Sequence, residues 1–315
     1  MAELLDMDRL CVRDTRHIIL SELTMHVGRG EKVALVGESG CGKTMSIRTL
    51  LHMLPDDVSV TSGFLTFDGT DVLSLRSHQL RQELYSRVGF VAQNTSASLH
   101  PLLRISTQMT DFYLERHRGV RRSQAVEKAA GILRSLGMRD VERVLSSRPD
   151  QLSGGMRQRI NIAIALMDDI LLLVADEPTS ALDAHVRRQI EEVYISLAER
   201  SCLAMLLVSH DLGFVRRMAD RVYVMYAGKM VEEGLVDEIF SAPVHPYTRS
   251  LIALANVKYK NKDEDLAQLG GFVPVAGRES RSCAFASRCR YERADCMADV
   301  EYRRLSDTHY VRCWR

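Results

Sequence analysis

Apolar residues in this chain gather in short, unbroken runs set between charged stretches. "VALV" at 33–36 and "ILLLVA" at 170–175 are too short for a buried helix and show no alternation, so they suit parallel strands buried on both faces. "VGFVA" at 88–92 reads as another strand. A different period governs "SQAVEKAAGILRSLG" at 123–137, where Val126, Ala129, Ala130 and Leu133 recur at helical spacing. Ser123 is the expected N-cap of that helix and Gly137 its C-terminal stop. "KYKNKDEDLAQ" at 258–268 is polar and reads as a linker. The chain carries neither an internal repeat nor a low-complexity segment, and its longest apolar run falls far short of a bilayer.

Length and charge narrow the possibilities. The chain has 315 residues, room for two or three structural units. A formal charge of +1 argues against a dedicated nucleic-acid binder with a strongly basic face. "MAELLDMDRL" carries acids and lacks the basic-then-apolar layout of a signal peptide. The expected setting is therefore the cell interior, where clustered cysteines serve as metal ligands or catalytic groups more often than as disulfides.

The first chemistry follows the first buried run. Gly37-Glu38-Ser39-Gly40-Cys41-Gly42-Lys43-Thr44 fits G-x-x-x-x-G-K-[ST] between an expected strand and an expected helix. Glycines let the loop turn its N–H groups toward phosphate oxygens, and the helix N-terminus adds positive dipole. Lys43 then reaches the β- and γ-phosphates, and the Thr44 hydroxyl is a Mg²⁺ ligand. A strand that ends in two acids, "ILLLVADEPTS", offers Asp176 as a second Mg²⁺ partner and Glu177 as a general base for water. "LSGGMRQR" at 152–159 opens another helix on two glycines behind a serine N-cap, a second anion-seeking helix end. Two such ends far apart in sequence bind either two anions or one anion from each of two molecules.

Gly37–Thr44, Gln93 after "VGFVA", "LSGGMRQR", the strand ending at Asp176 and Glu177, "SALD" at 180–183 and His210 in "LLVSHD" stand in the order and spacing of an ABC-type ATPase. With "SLHP" at 98–101, "HDLGFV", "MYAGKMVEEG" and "HPYTRSL" at 245–251, the chain resembles the oligopeptide/dipeptide/nickel importer group. Met156 after the glycine pair is similar to one of two paired, non-identical ATPases of that group. The resemblance implies an α/β P-loop NTPase: a RecA-like core with an antiparallel β subdomain over 1–93 and 166–240, and an inserted helical subdomain over 94–165. A linker over 241–268 and a small cysteine-rich extension over 269–315 would follow.

The same resemblance implies roles. Gly37 to Thr44, Gln93 and Asp176 would hold Mg-ATP, with Thr44, Gln93 and Asp176 around the Mg²⁺. Glu177, His210 and Gln93 would be catalytic, with Glu177 activating water and His210 meeting the γ-phosphate. Ser153, Gly154 and Gly155 would serve a partner's ATP in a head-to-tail dimer, and Asp183 would couple the two sites. The implied partners are a second related ATPase, two membrane permeases that dock on the helical subdomain, and an extracytoplasmic solute-binding protein, with no nucleic acid. The implied location is the cytoplasmic face of the cell membrane, as a peripheral protein. ATP hydrolysis would power import of oligopeptides or dipeptides; nickel or metal-chelate import is an alternative, and a soluble non-transport ATPase a more distant one. The family's aromatic adenine platform falls at Asp14, with His17 or Arg13 as substitutes. Arg116, Arg118, Arg121 and Arg122 read as a solvated helix face rather than a contact with anionic lipid.

Four of the seven cysteines, Cys283, Cys289, Cys296 and Cys313, crowd near the end, spaced C-x5-C-x6-C-x16-C. Neither zinc-site nor ferredoxin spacing matches, so spacing alone points to a metal or cluster of unspecified kind. "CAFASRC" and "VRC" resemble the ending of peptide-importer ATPases, which in some members implies a 4Fe-4S cluster, with zinc as the alternative. The tail is then expected to be a structural or redox-sensing appendix outside the ATP chemistry. Cys11 and Cys202 lie among apolar residues and are expected in the core. Cys41 is expected to fill the loop, ahead of the alternative that the helix N-terminus depresses its pKa and makes it oxidisable.

Overall fold

The computed structural model describes residues 3–94, 98–180, 182–200, 202–257, 282–298 and 300–315. The linker expected at 258–268 lies outside the described residues. The chain divides into two compact units, one of Met1–Ser74 with Leu207–Arg315 and the other of Leu75–Leu206.

The first unit contains two sheets. Strands β1 (Glu3–Arg13), β2 (Ile18–Gly28), β4 (Ser59–Phe67) and β5 (Thr70–Asp71) form an antiparallel sheet in the order β2-β1-β4-β5. Leu5 faces Phe67 and Met7 faces Leu65, and all four side chains are buried. β3 (Lys32–Val36) is the predicted "VALV" strand, with Val33 to Val36 all buried. Its apolarity on both faces is what a strand covered on both sides requires.

In the second unit β6 (Val88–Val91) and β7 (Leu172–Asp176) pair in parallel, with Val88 opposite Leu172 and Val91 opposite Ala175. Helices Ile105–Arg116, Arg122–Ser135, Val141–Ser146, Gly154–Ala165 and Ala184–Arg200 belong to the same unit. Ala125, Ala129, Ala130 and Leu133 line the buried stripe of Arg122–Ser135, and Val126 is half-buried. Ser123 is not its cap. The helix starts at Arg122, because the Gln124 side chain accepts the Arg121 N–H at 2.9 Å and closes the first turn ahead of the serine. Gly137 ends it as expected: at φ 75° its N–H reaches the Arg134 carbonyl, and the Met138 N–H reaches that of Leu133. The basic run is only partly a solvated face. Arg116 pairs with buried Asp168, which also takes His117 Nε2 at 2.8 Å, and Arg122 pairs with Asp111 at 2.8 Å.

β8 (Ala204–Val208) passes from one unit to the other. At its start the Ala204 N–H donates to the Leu171 carbonyl, and just past its end the Ser209 N–H donates to the Leu35 carbonyl. In the first unit β9 (Arg221–Tyr226) runs parallel to β3, and β10 (Lys229–Leu235) returns antiparallel to β9. The tail then joins this sheet. β12 (Tyr310–Val311) pairs with β10, Glu232 opposite Val311, and β11 (Arg303–Arg304) pairs with β12 at the edge. Phe285 is 2% exposed and packs on Tyr226 and Tyr247 in the buried cluster with Val36 and Val224.

Two cysteines depart from expectation. Cys11 is half-buried, because β1 shifts register on either side of it; its sulfur receives the Glu22 N–H at 3.3 Å. Cys202 is exposed in the loop before β8, where Leu203 takes the buried place.

Glu232 and Glu233 sit side by side on β10 and are both buried. Glu232 accepts the N–H groups of Val244 and His245 and the His309 ring at 2.8 Å. Burial pushes the Glu233 carboxyl up to about 7, against the attraction of Arg221 and His309. The folded state therefore binds this proton more tightly than the unfolded chain, and the group's contribution to stability falls as pH rises from about 4.5 to 7. Glu233→Gln should flatten the pH dependence of urea unfolding across that window. Above pH 7 it should raise stability by about 1–3 kcal/mol.

Candidate active site

The loop 37–44 leaves β3 and enters the helix Lys43–Leu50. Two of its glycines are required by geometry. A Cβ on Gly37 would stand 2.3 Å from the Met225 carbonyl oxygen, and Gly42 caps the helix at φ 111°, where side chains are strained. Lys43 is buried, and its ammonium donates to the carbonyls of Gly37 at 2.8 Å and Glu38 at 2.9 Å. Ser39, Gly40 and Thr44 are exposed, so the outer face of the loop and the threonine hydroxyl are open. Cys41 is buried and fills the loop. Burial raises its thiol pKa against the pull of Lys43, the opposite direction to the alternative of a depressed, reactive thiol.

The first unit also holds His210, exposed, next to the Ser209 whose N–H bonds to β3. Asp211 caps the following helix Leu212–Met218 by accepting the Phe214 N–H at 3.0 Å. Near the N-terminus Asp14 offers no platform for a base. Its carboxylate accepts the N–H groups of Arg16 and His17 and closes the β1–β2 turn, and these bonds hold its pKa down.

The second unit brings together two residues singled out from sequence. Gln93 Nε2 donates to Glu177 Oε2 at 2.7 Å, linking the segments that follow β6 and β7. Asp176 is 4% exposed at the end of β7. Glu177 sits at φ 47°, a left-handed backbone that ordinary residues adopt at a cost, and its carbonyl accepts both the N–H and the hydroxyl of Ser180. Ser153 caps Gly154–Ala165 by accepting the Met156 N–H at 3.3 Å; Ser153 and Gly154 are exposed and Gly155 half-buried. Asp183 accepts the N–H groups of His185 and Val186 at 3.0 Å each, which lowers its pKa.

The tail is not separate from the loop. Arg288 donates two hydrogen bonds to the Glu38 carboxylate, at 2.9 and 3.1 Å, and a third to the Tyr226 hydroxyl at 3.0 Å. Tyr247, in "HPYT", accepts the Glu38 N–H at 2.7 Å. Sequence reasoning missed both contacts. The only signal was the arginine kept inside "CAFASRC" and the tyrosine of "HPYT".

Cys283, Cys289, Cys296 and Cys313 line one cavity of about 230 Å³ with His245, Phe285 and Trp314. Burial pushes the Cys283 thiol up to about 11, with the other three cysteines adding to the shift, and Cys289 is raised as well. Among the described residues no three His, Cys, Asp or Glu side chains converge so as to hold a metal ion.

A glycine loop between a buried parallel strand and a helix opening on a buried lysine defines a P-loop nucleotide-binding protein. The ABC transporter family matches residues 20–180, and the C-terminal region of oligopeptide/dipeptide transporters matches residues 231–296. The chain is 36% identical over 298 residues to a probable peptide ABC transporter ATP-binding protein, y4tR, of Sinorhizobium fredii, covering 94% of this chain and 89% of that one. It is 35% identical to the oligopeptide transport ATP-binding protein OppD of Bacillus subtilis, covering 93% and 82%. Among solved structures, cbiO1 from Clostridium perfringens shares the fold at a TM-score of 0.67 and 20% identity, over 82% of this chain and 96% of that one. The chain belongs to the ATP-binding proteins of the ABC transporter family, and is an ATPase. Among the described residues no helix is long and apolar enough to cross a membrane.

Thiol labelling checks the two contrasting cysteines. In the native protein at pH 8, Cys202 should alkylate readily while Cys41 stays protected until the chain is unfolded, as read by peptide mass spectrometry.

Proposed function

We propose that the chain is the ATP-hydrolysing subunit of an importer of oligopeptides or dipeptides. One observation carries this reading: the segment matched to oligopeptide/dipeptide transporters, 231–296, is built into the same unit as the phosphate loop, and Tyr247 within it holds Glu38. The names of y4tR and OppD support peptides over nickel or metal chelates, and over a non-transport ATPase.

In this reading the loop Gly37 to Gly42 presents backbone N–H groups to the triphosphate, the Glu38 N–H held by Tyr247 excepted, and Lys43 leaves its two loop carbonyls for the β- and γ-oxygens. Thr44, Gln93 and Asp176 are oxygen donors suited to Mg²⁺, which when bound supplies charge that offsets the phosphates. Glu177 takes a proton from the attacking water, oriented by the 2.7 Å bond from Gln93, and His210 steadies the γ-phosphate. Ser153, Gly154 and Gly155 stand exposed or half-exposed at a helix N-terminus, as an anion site facing a second molecule requires. The second molecule is a related ATPase in a head-to-tail pair, with Asp183 coupling the sites. Residues 94–165 form the helical part that receives two membrane permeases, fed by an extracytoplasmic solute-binding protein. The complex works at the cytoplasmic face of the cell membrane without nucleic acid.

The four cysteines that line one cavity would hold a 4Fe-4S cluster, with zinc as the alternative. His245 is 1% exposed and lines that cavity, and its Nε2 is buried with no hydrogen-bond partner among the described residues. A cluster sulfur would be a partner for it. Held there by Cys283, Cys289, Cys296 and Cys313, the cluster would supply one-electron redox chemistry and a staple for the tail.

Two measurements test this subsection. Glu177→Gln, assembled with its partner ATPase and permeases in proteoliposomes, should keep ATP affinity and lose at least about 100-fold in hydrolysis, with peptide uptake lost in parallel. Unchanged hydrolysis would move the general base elsewhere. Protein purified without oxygen should absorb broadly near about 400 nm with about four irons per chain; a colourless, iron-free protein would remove the cluster and leave the ATPase reading standing.

A further inference from the structure

Glu38 brings a carboxylate into the loop that must hold a triphosphate. A like charge near a phosphate site weakens binding unless it is neutralised. The neutralising group comes from the far end of the chain. The Arg288 side chain is 6% exposed and that of Glu38 23%, and the guanidinium meets the carboxylate with both nitrogens, the strongest geometry open to such a pair.

The arginine is held firmly. Its guanidinium lies 5.7 Å from the Tyr226 ring and 5.8 Å from that of Phe285, and donates to the Tyr226 hydroxyl. It sits at the end of the short turn Ala286–Arg288, between two cavity cysteines. That turn is closed by the Ala286 N–H to the Cys283 carbonyl at 3.0 Å and the Cys289 N–H to the Ala286 carbonyl at 2.9 Å. Cys283 N–H in turn donates to the Cys296 carbonyl at 2.8 Å, so the cysteine-bearing segments fix where Arg288 stands.

We propose that Arg288 is a positioning residue for ATP binding: acting through Glu38, it neutralises the loop carboxylate, and so ties ATP affinity to the fold of the cysteine-lined tail. The inference rests on the nucleotide-binding reading of the loop. It does not depend on what, if anything, fills the cysteine cavity.

The test is a titration of the full-length chain with a fluorescent ATP analogue, with melting temperature recorded for every variant. Arg288→Gln, which keeps length and loses charge, should weaken ATP binding about tenfold. The double variant Arg288→Gln with Glu38→Gln should return affinity close to that of the wild type, because the offending carboxylate is gone. A merely structural arginine would not be rescued in this way. If Arg288→Gln binds as the wild type does, or if the double variant remains as weak as the single one, the proposal is overturned. Should Arg288→Gln not fold, Arg288→Lys decides: it keeps the charge and should bind nearly as the wild type, and a tenfold loss at an unchanged melting temperature would sink the proposal. Lys43→Ala separates the two levels. A wild type that binds no better than Lys43→Ala would overturn the nucleotide-binding reading itself, whereas a wild type that binds well beside an indifferent Arg288→Gln overturns only the role of the arginine.

Discussion

A loop that offers its backbone N–H groups to phosphate has few groups left with which to hold itself, and here its shape is imposed from outside. The Met225 carbonyl on β9 leaves no room for a Cβ at Gly37. The Tyr247 hydroxyl holds the Glu38 N–H, Arg288 holds the Glu38 carboxylate, and Lys43 spans two loop carbonyls. The Gly228 N–H adds a bond to the Cys41 carbonyl. All of these supports but Lys43 come from segments outside the loop, so phosphate binding depends on the packing of the first unit.

The segment "HPYT" illustrates how that dependence is built. Buried Glu232 accepts the N–H groups of Val244 and His245, His245 Nδ1 accepts the Tyr247 N–H, and the helix Pro246–Val257 starts there. Tyr247 thereby arrives, fully buried, against Tyr226 and Phe285 with its hydroxyl at the loop. Burial raises the pKa of that hydroxyl and holds it neutral. The His245 ring is kept neutral too, with burial lowering its pKa to about 4. A carboxylate, an imidazole and a phenol thus tie β10 to the phosphate loop in steps, each accepting a backbone N–H of the next residue in the series.

The tail changes character in the light of this packing. An appendix of this length is too short to bury a core of its own. It solves the problem by borrowing one: β12 extends the sheet at β10, His309 joins Glu232, and Phe285 enters the aromatic cluster. The cysteine cavity is then a wall of the first unit, with Arg288 reaching inward to the loop.

Much of this was legible in the chain. The buried strands β3 and β7 follow from unbroken apolar runs, because only a strand covered on both faces tolerates them. Gly137 reads as a helix stop because a left-handed residue is needed there. Local spacing also placed Lys43 behind its glycines and Glu177 at a strand end. Other features were decided only in three dimensions. The start of the helix at Arg122 depends on the Gln124 side-chain carbonyl turning back on the Arg121 N–H. The exposure of Cys202 depends on which neighbour packs where. The pairing of Glu38 with Arg288 joins residues that no periodicity connects, since sequence patterns report the spacing along one element and are silent on contacts closed by the whole sheet.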